Sequence, residues 1–284
     1  MLSNGTVPCW SSQVIRSARR HHAPLTTDTR CDVVVIGGGI AGLSTAYLLA
    51  RDKVDVIVLD DGPIGGGETE RTTAHLASAL DDRFFRLEKM HGKDGARLAW
   101  ESHSIAIDVI ESLVDEEGID CSFSRLDGWL FCGPQDTTQT LQDELEACRR
   151  VGFVDVEMHD RVPDLMYDTG AALRFPRQAQ LHPMKYLQGL TEAFLNLGGR
   201  IHTSSHAALI EGGDPPRVVT REGKVVRANA VVVATNTPVN DRFVIHTKQT
   251  PWRSYVVAMA MARGLQPPAL LWDTAEPYHY MRIA

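Results

Sequence analysis

The chain has 284 residues, of which 43% are hydrophobic and 23% are charged, and its formal net charge at pH 7 is −7. This length and apolar share are enough for one large domain, or for two interleaved domains, with a sizeable core. The acidic balance argues against a nucleic-acid-binding protein. No apolar run reaches the roughly 18 residues that a membrane-spanning helix needs.

The first thirty residues are predicted to form an extended arm. They contain Arg16, Arg19 and Arg20 but no acidic residue before Asp28, a composition that also fits a transit peptide. They lack the hydrophobic stretch of a secretory signal. The five cysteines are scattered along the chain without the spacing of a metal site, so we predict free thiols, no metal ligands and a reducing, cytoplasmic location.

A buried strand, a glycine turn and a helix are predicted over Cys31–Ala50. The apolar stretch Asp32–Ile36 is followed at once by residues 37–42, GGGIAG, which match the pattern G-x-G-x-x-G. In such a turn the glycines allow the tight bend, the close approach of a pyrophosphate, and the packing of helix against strand. The N–H groups at the start of the helix, at the positive end of its dipole, hold the phosphates.

An acidic pair ends the next predicted strand, Val54–Leu59. Its first member, Asp60, follows Gly42 by 18 residues, a spacing at which a carboxylate accepts hydrogen bonds from an adenosine ribose. The strand, turn, helix and acidic pair together predict a dinucleotide-binding site. The alternative is a glycine-rich turn in some other α/β protein.

A second cluster of glycines follows, and hydroxyl residues come directly after it. Residues 62–75 read GPIGGGETERTTAH. A loop of this composition can bring its backbone close to a ligand and donate side-chain hydrogen bonds. It can equally be a flexible loop in which Thr69 caps a helix.

The remaining sequence alternates between helical and strand patterns. Helices are predicted at Asp82–Glu117, Thr137–Val151 and His182–Leu197. Strands are predicted within Cys121–Cys132, with a hairpin turn at Asp127-Gly128, and at Val154–Met158, Ala172–Phe175, Arg200–Thr203, Ala207–Ile210, Arg217–Thr220, Val225–Arg227, Thr247–Met261 and Ala269–Trp272. A further strand, Ala230–Ala234, is apolar on both faces and is predicted to be a buried parallel strand.

The order of these motifs resembles the FAD-dependent oxidoreductases of the D-amino-acid-oxidase and glycine-oxidase type. The stretches RTTAHLASALDDRF, ALRFPRQAQLHPMKYLQGL, ATNTPVNDRFVIHTKQTPWRSYVV and LLWDTAEPYHYMR are similar to one subgroup, whose members usually carry a C-terminal Rieske iron–sulfur domain. The resemblance covers nearly the whole chain. It extends to Trp10 and Pro24-Leu25-Thr26, which favours the arm over the transit peptide.

The resemblance implies an α/β fold, α+β overall. A Rossmann-like, FAD-binding parallel sheet of the GR2 type is interrupted by a mixed, mainly antiparallel substrate domain. We expect residues 1–30 to form the arm, 31–80 and 183–245 the FAD-binding domain, and 81–182 and 246–284 the substrate domain.

The resemblance also implies cofactor contacts at sixteen positions. It assigns the pyrophosphate to Gly37, Gly39 and Gly42 and the adenosine ribose to Asp60. The neighbouring residues included in the same cofactor site are Gly38, Ile40, Ala41 and Asp61. The resemblance places along the ribityl-pyrophosphate and under the flavin Thr69, Arg71, Thr72, Thr73 and Ala74. It implies that Ala207 contacts the adenine through its backbone, and that Ala234 and Thr235 lie near the cofactor, with Asn236 where the family has glycine.

Two departures from the family pattern concern the C-terminal side. Family members continue for roughly another hundred residues, through a Gly-Gly strand and a helix that complete the flavin site. The sequence also contains no Cys-x-His…Cys-x-x-His pattern. We therefore expect a C-terminally truncated chain without a Rieske centre, for which a Rieske domain is a candidate partner.

The expected reaction is hydride transfer from a small amine or amino-acid-like donor to flavin N5, for which the cofactor carries the difficult step. The alternatives are a truncated fragment acting at most as a dinucleotide-binding module and, less favoured, an NAD(P)-dependent dehydrogenase. Catalytic residues cannot be assigned. Candidates to line a substrate site, each with a structural role as its alternative, are His75, His182, Arg253, Tyr255, Tyr278 and Tyr280.

Overall fold

The computed structural model describes residues 10, 21–237, 239, 254–262 and 264–283. Four α-helices are present in this part of the chain: α1 Ile40–Arg51, α2 Phe84–Glu116, α3 Thr138–Val151 and α4 Pro183–Asn196. The strands are β1 Thr29–Arg30, β2 Val33–Ile36, β3 Val56–Leu59, β4 His75–Leu76, β5 Ser124–Phe131, β6 Glu157–His159, β7 Ala172–Gln180, β8 Arg200–His202, β9 Ala207–Glu211, β10 Arg217–Thr220, β11 Val225–Arg227, β12 Ala230–Val233, β13 Leu270–Asp273 and β14 Tyr280–Met281.

These elements divide into two compact units. The first unit comprises Met1–Thr72, Glu117–Cys121 and Pro183–Ala258, and the second comprises Thr73–Glu116, Ser122–His182 and Met259–Ala284. Each unit has a hydrophobic core of its own.

A parallel sheet in the order β12-β2-β3-β8 forms the centre of the first unit. Its middle strands are short and apolar, and all four residues of β3 are buried. Helices α1 and α4 pack against each other. Gly42, on the buried face of α1, lies against Gly37 and Val35, so the helix packs closely on the end of β2.

A second sheet of the first unit has the order β1-β11-β10-β9. Its buried residues Val218 and Val226 share one core with Val34 and Ile57 of the parallel sheet. The end of the N-terminal arm enters this sheet, because β1 pairs in parallel with β11. A tight turn, in which the Gly223 N–H donates to the Thr220 carbonyl at 2.9 Å, joins β10 to the antiparallel β11.

Strand β12 is parallel to β2, as predicted, but the prediction that it is buried on both faces is wrong. Among the described strands it is the outer one of its sheet, its two end residues are exposed, and Val233 is 42% exposed. Apolar β-branched residues indicate a strand, but they do not reveal whether a neighbour covers its second edge.

The second unit contains a mixed sheet in the order β14-β13-β5-β7-β4, to which β6 adds on β7. Among the strand pairs that the structure describes in this sheet, only β13–β5 is parallel. On one face, helices α2 and α3 cover a core that includes Phe84, Leu145 and Phe175. The predicted helix Asp82–Glu117 is interrupted at Gly92, whose φ is 72°.

The predicted hairpin at Asp127-Gly128 is wrong, because both residues lie inside the single strand β5. Arg174 on the neighbouring strand pairs with the Asp127 carboxylate at 2.7 Å, and the ladder is irregular between Leu126 and Gly128. The Trp272 ring lies against Gly128, where a Cβ atom would be 2.6 Å from it. Gly128 is therefore needed for packing within a strand and not for a turn.

The predicted strand Thr247–Met261 is also wrong for its described part, since residues 254–261 form no regular element. Its remainder lies outside the described residues. The overall prediction of an α/β fold, with a parallel sheet interrupted by a mixed, mainly antiparallel one, is confirmed.

Candidate functional site

The glycine turn, residues 37–42, joins the carboxyl end of β2, a middle strand of the parallel sheet, to the start of α1. Gly37 has a φ of 110°, and its N–H donates to the Leu59 carbonyl at 2.8 Å. A Cβ atom at Gly37 would collide with the Ala234 carbonyl, and one at Gly42 would collide with the Gly37 carbonyl. Glycine is required at both positions because backbone from two neighbouring segments meets there.

The start of α1 is open for an anion. Its N-cap is Gly39, no side chain of the described residues caps it, and no acidic residue lies in its first turn. Among the same residues, a Cβ atom at Gly39 would meet only the Thr69 hydroxyl oxygen, at 3.2 Å. Uncapped N–H groups facing open space are what a pyrophosphate requires, so these residues fit the group that the turn predicts.

Asp60 follows β3 and lies directly beside the turn. One carboxylate oxygen accepts the N–H of Gly38 at 2.5 Å and the other accepts that of Gly62 at 2.8 Å. Burial raises the pKa of Asp60, and the two N–H donors partly offset the rise. Each carboxylate oxygen keeps a further acceptor position, so the group can still receive a hydroxyl. The carboxylate of its neighbour Asp61 lies 3.5 Å from Nδ1 of His206.

The second glycine cluster, here called the threonine loop (residues 65–74), folds back on the turn. The Gly65 N–H donates to the Gly38 carbonyl at 3.0 Å. Residues Glu68–Arg71 form a short 3-10 helix that brings Thr69 against Gly39. The Arg71 guanidinium donates to the carbonyls of Gly66 and Gly67, and therefore stabilises the loop itself.

The end of the threonine loop is held in place by hydrogen bonds that its backbone carbonyl groups accept. The indole N–H of Trp10 donates to Thr72 at 2.6 Å. The Arg282 guanidinium donates to Thr73 at 2.8 Å and to Ala74 at 2.9 Å. Ala74 has a φ of 56°, an uncommon conformation for a residue with a side chain.

The three remaining predicted cofactor residues lie elsewhere in the first unit. Ala207 is buried at the start of β9. The Ala234 N–H donates to the Ile36 carbonyl at 2.8 Å, which holds this segment beside the turn. The Thr235 hydroxyl donates to the Thr237 carbonyl, and Asn236 between them has a φ of 62°.

Three of the predicted substrate-site residues form an aromatic cluster in the second unit. The ring centroids of His75 and Tyr280 lie 5.5 Å apart, and those of Tyr278 and Tyr280 lie 5.7 Å apart. The Tyr278 hydroxyl is 3.1 Å from the Asp81 carboxylate, and the pKa of Tyr278 is raised to about 12, mainly by burial. Strands β4 and β14, which carry His75 and Tyr280, stand at opposite ends of the described strand order, and the contact between the two rings brings them together.

His75 is held in its neutral form. Burial, with a smaller effect of the Arg282 charge, lowers its pKa to about 4. Its Nε2 atom is buried and has no hydrogen-bond partner among the described residues, and the same holds for Oε1 of its cross-strand neighbour Gln180. Two such atoms on directly opposite residues of neighbouring strands indicate a place for a water molecule or a polar ligand group.

The other predicted substrate-site residues do not join this cluster. His182 is buried at the start of α4. Tyr255 is 90% exposed, and Arg253 lies outside the described residues. Within the part of the chain that the structure describes, no group of three or more His, Cys, Asp or Glu side chains could hold a metal ion. Among the same residues, no helix is long and apolar enough to cross a membrane.

Sequence reasoning missed three contacts at the site. Ile64 is buried, and its side chain packs where a Cβ of Gly38 would be. Trp10 and Arg282 bind loop carbonyls that lie 62 and 208 positions away in the chain. No local pattern pairs residues at such separations, although Trp10 was already part of the family resemblance.

Solved structures with a similar fold include L-proline dehydrogenase from P. horikoshii, with a TM-score of 0.68 and 20% sequence identity, covering 90% of this chain and 68% of that one. Glycine oxidase from Geobacillus kaustophilus has a TM-score of 0.60 and 20% identity, covering 72% and 55% of the two chains. At these identities the likeness concerns the fold.

Curated relatives are similar in sequence over most of this chain. A putative Rieske 2Fe-2S iron-sulfur protein of Bacillus subtilis is 33% identical over 83% of this chain and 46% of its own length. The gamma-glutamylputrescine oxidoreductase of Escherichia coli is 31% identical over 82% of this chain and 55% of its own length. The chain thus spans about half the length of these relatives.

A family model described as "FAD dependent oxidoreductase" matches residues 32–283, which include both the glycine turn and the threonine loop. The family predicted from the motifs is therefore confirmed, and the chain belongs to the FAD dependent oxidoreductase (DAO) family.

Proposed function

We propose that this chain binds FAD and forms the cofactor-binding part of an oxidoreductase that acts on a small amine or amino acid. The observation that carries the proposal is the convergence of three elements at Gly38 and Gly39. The uncapped start of α1, the Asp60 carboxylate and the Thr69 hydroxyl all meet there. This combination suits a pyrophosphate flanked by a ribose.

Each part of the cofactor has candidate residues. Residues 37–42 would hold the pyrophosphate through backbone N–H groups, and Asp60, with Asp61 beside it, would accept ribose hydroxyls. The hydroxyls and backbone of Thr69, Arg71, Thr72, Thr73 and Ala74 would lie along the ribityl chain and flavin. Ala207 would contact the adenine, and Ala234 and Thr235 would border the cofactor from β12. We accordingly assign the FAD-binding role to the first unit and the substrate role to the second.

Bound FAD would supply a hydride acceptor, and the residues of the chain would bind and orient the donor molecule. His75 and Gln180 are suited to that task because each presents a buried polar atom without a partner among the described residues. A neutral imidazole and an amide oxygen both accept hydrogen bonds. An amine N–H group would satisfy both.

The names of related proteins support the amine and amino-acid class. One sequence relative is named for gamma-glutamylputrescine, and fold neighbours are named for glycine and L-proline. The relative named as a Rieske protein is longer than this chain, which makes an iron–sulfur domain a candidate electron-transfer partner.

The absorption spectrum of the purified chain tests this proposal. We expect flavin bands, and release of FAD into the supernatant when the protein is denatured. A protein that is colourless and stays so after incubation with FAD would contradict the proposal. NAD added in excess should not displace FAD, whereas displacement would favour a nicotinamide-dependent dehydrogenase.

Anaerobic mixing with amines separates an enzyme from a dinucleotide-binding module that does not turn over. Bleaching of the flavin bands by glycine, proline or a diamine would show hydride transfer. A bound flavin that none of them reduces would favour the binding module.

A further inference from the structure

We propose that Trp10, in the N-terminal arm, is a positioning residue for the cofactor: it anchors the threonine loop and thereby slows the release of FAD. The inference rests on the proposed function, since it requires that the loop contacts FAD. It adds a role for the arm, which precedes the cofactor-binding fold in the chain.

Trp10 is buried and is attached to the loop through its N–H group. The residue is 4% exposed, and its indole N–H donates to the Thr72 carbonyl at 2.6 Å. Thr72 directly follows the 3-10 helix that places Thr69 against Gly39. A buried side chain bonded at this point fixes the end of the segment that brings Thr69 to the turn.

The arm is also tied to the segment that follows β8. The Thr203 hydroxyl accepts the N–H of His22 at 2.8 Å and donates to its carbonyl at 2.6 Å. The Leu25 N–H donates to the Ser205 hydroxyl at 2.9 Å. Ser205 in turn donates its N–H to the Asp60 carbonyl at 2.8 Å. The described parts of the arm therefore contact the threonine loop and the segment after β8, and the latter is hydrogen-bonded to the backbone of Asp60, the proposed ribose ligand.

These contacts are expected to matter for affinity because they order the loop before the cofactor arrives. A loop that is already held in its binding conformation loses less entropy when it binds. If the anchor is removed, the loop opens more often, and bound FAD escapes through the opened state. Trp10 itself need not touch the cofactor.

Two variants and one matched control test the anchor. Trp10→Phe keeps an aromatic ring but removes the hydrogen bond, and Trp10→Ala removes both. Trp100→Phe is the control, because the Trp100 indole nitrogen is buried without a hydrogen-bond partner among the described residues and lies in the second unit. Circular dichroism and melting temperature establish that each variant is folded.

Trypsin reports on the loop without any cofactor, because Arg71 precedes the anchored Thr72. We expect cleavage after Arg71 in FAD-free protein to be about threefold faster in Trp10→Phe and about tenfold faster in Trp10→Ala, consistent with the loss of one hydrogen bond and then of a buried ring. The control should match the wild type. Equal rates of cleavage after Arg71 in the wild type and all three variants would overturn the proposal that Trp10 anchors the loop.

The dissociation rate of FAD, followed by flavin fluorescence after dilution, tests the cofactor role. We expect FAD to dissociate fastest from Trp10→Ala, more slowly from Trp10→Phe, and most slowly from the wild type and Trp100→Phe. Thr203→Val, like Trp10→Phe, should release FAD faster than the wild type. Faster cleavage with an unchanged FAD dissociation rate would overturn the cofactor role while leaving the proposed function intact. A wild-type chain that binds no FAD would contradict the proposed function, and the cofactor role of Trp10 with it.

Discussion

Asp60 illustrates how a single side chain combines a structural and a proposed ligand role. Its carboxylate accepts backbone N–H groups from both the glycine turn and the following segment. Burial nevertheless raises its pKa, which means that the charged form is less well stabilised in the folded protein than in water. Carboxyl groups with a pKa raised by burial are often found at ligand-binding and active sites.

The pH dependence of Asp60 can be measured against Asp60→Asn. Because its folded-state pKa is raised, the carboxyl group stabilises the fold below its unfolded pKa, and this contribution is lost as pH rises through the folded pKa. We expect the wild-type melting temperature to fall relative to Asp60→Asn over the acidic range, as pH rises above the ordinary aspartate pKa of 3.8. A difference that is constant across this range would contradict the raised pKa.

His75 has the opposite dependence. Its folded-state pKa of about 4 lies below the ordinary 6.5, so its contribution to stability is complete above pH 6.5 and is lost as pH falls towards 4. The loss is at most about 3 kcal/mol. Urea unfolding at a series of pH values should show this slope in the wild type and not in His75→Gln. His103→Gln, which changes an exposed histidine, should keep the slope, and a slope in His75→Gln equal to that of the wild type would refute the assignment.

At the scale of elements, the start of α2 depends on a carboxylate from α3. Glu144 is 1% exposed, accepts the Phe85 N–H at 3.3 Å, and lies near the buried Arg83, while burial raises its pKa. Arg83 also donates to the Asp273 carbonyl at 3.2 Å. The Glu144 carboxylate therefore accepts a hydrogen bond from the start of α2 and also offsets the buried charge of Arg83.

Replacing Glu144 should consequently destabilise the protein. Glu144→Ala leaves a buried N–H group unpaired and the Arg83 charge less compensated, so we expect a loss of about 2–4 kcal/mol in the free energy of unfolding. Glu144→Gln keeps an acceptor oxygen and should lose less. Glu146→Ala, at an exposed position of the same helix, should lie within about 0.5 kcal/mol of the wild type. Equal effects of Glu144→Ala and Glu146→Ala in denaturant titrations would refute this role.

The elements that could be predicted are those determined by local sequence. The glycine turn and Asp60 follow from residue type and spacing, and Gly152 ends α3 with a φ of 101°, as a helix-stopping glycine should. The predictions were wrong where contacts with residues far away in the sequence determine the structure. Gly128 resembles a turn residue until Trp272 is seen packed on it, and β12 resembles a central strand until its exposed edge is seen. The holding of the threonine loop by Trp10 and Arg282 is likewise a tertiary effect.

At the scale of the whole molecule, the chain forms two units with separate cores, and the residues proposed to hold FAD belong mainly to the first. FAD bound at the glycine turn should therefore raise the free energy of unfolding of the first unit, because the ligand binds the folded state and not the unfolded one. With FAD at about 100 times its dissociation constant, the expected gain is about 2.7 kcal/mol.

A thermal-shift titration with FAD on matched variants tests the central claim most directly. Gly39→Leu places a side chain in the open space before α1, where the Thr69 hydroxyl is the one atom near its Cβ, whereas Ala106→Leu adds comparable bulk at an exposed position of α2. The account predicts that saturating FAD raises the melting temperature of the wild type and of Ala106→Leu by about 5 °C, and leaves Gly39→Leu unchanged. No shift in the wild type, or an equal shift in Gly39→Leu, would contradict it.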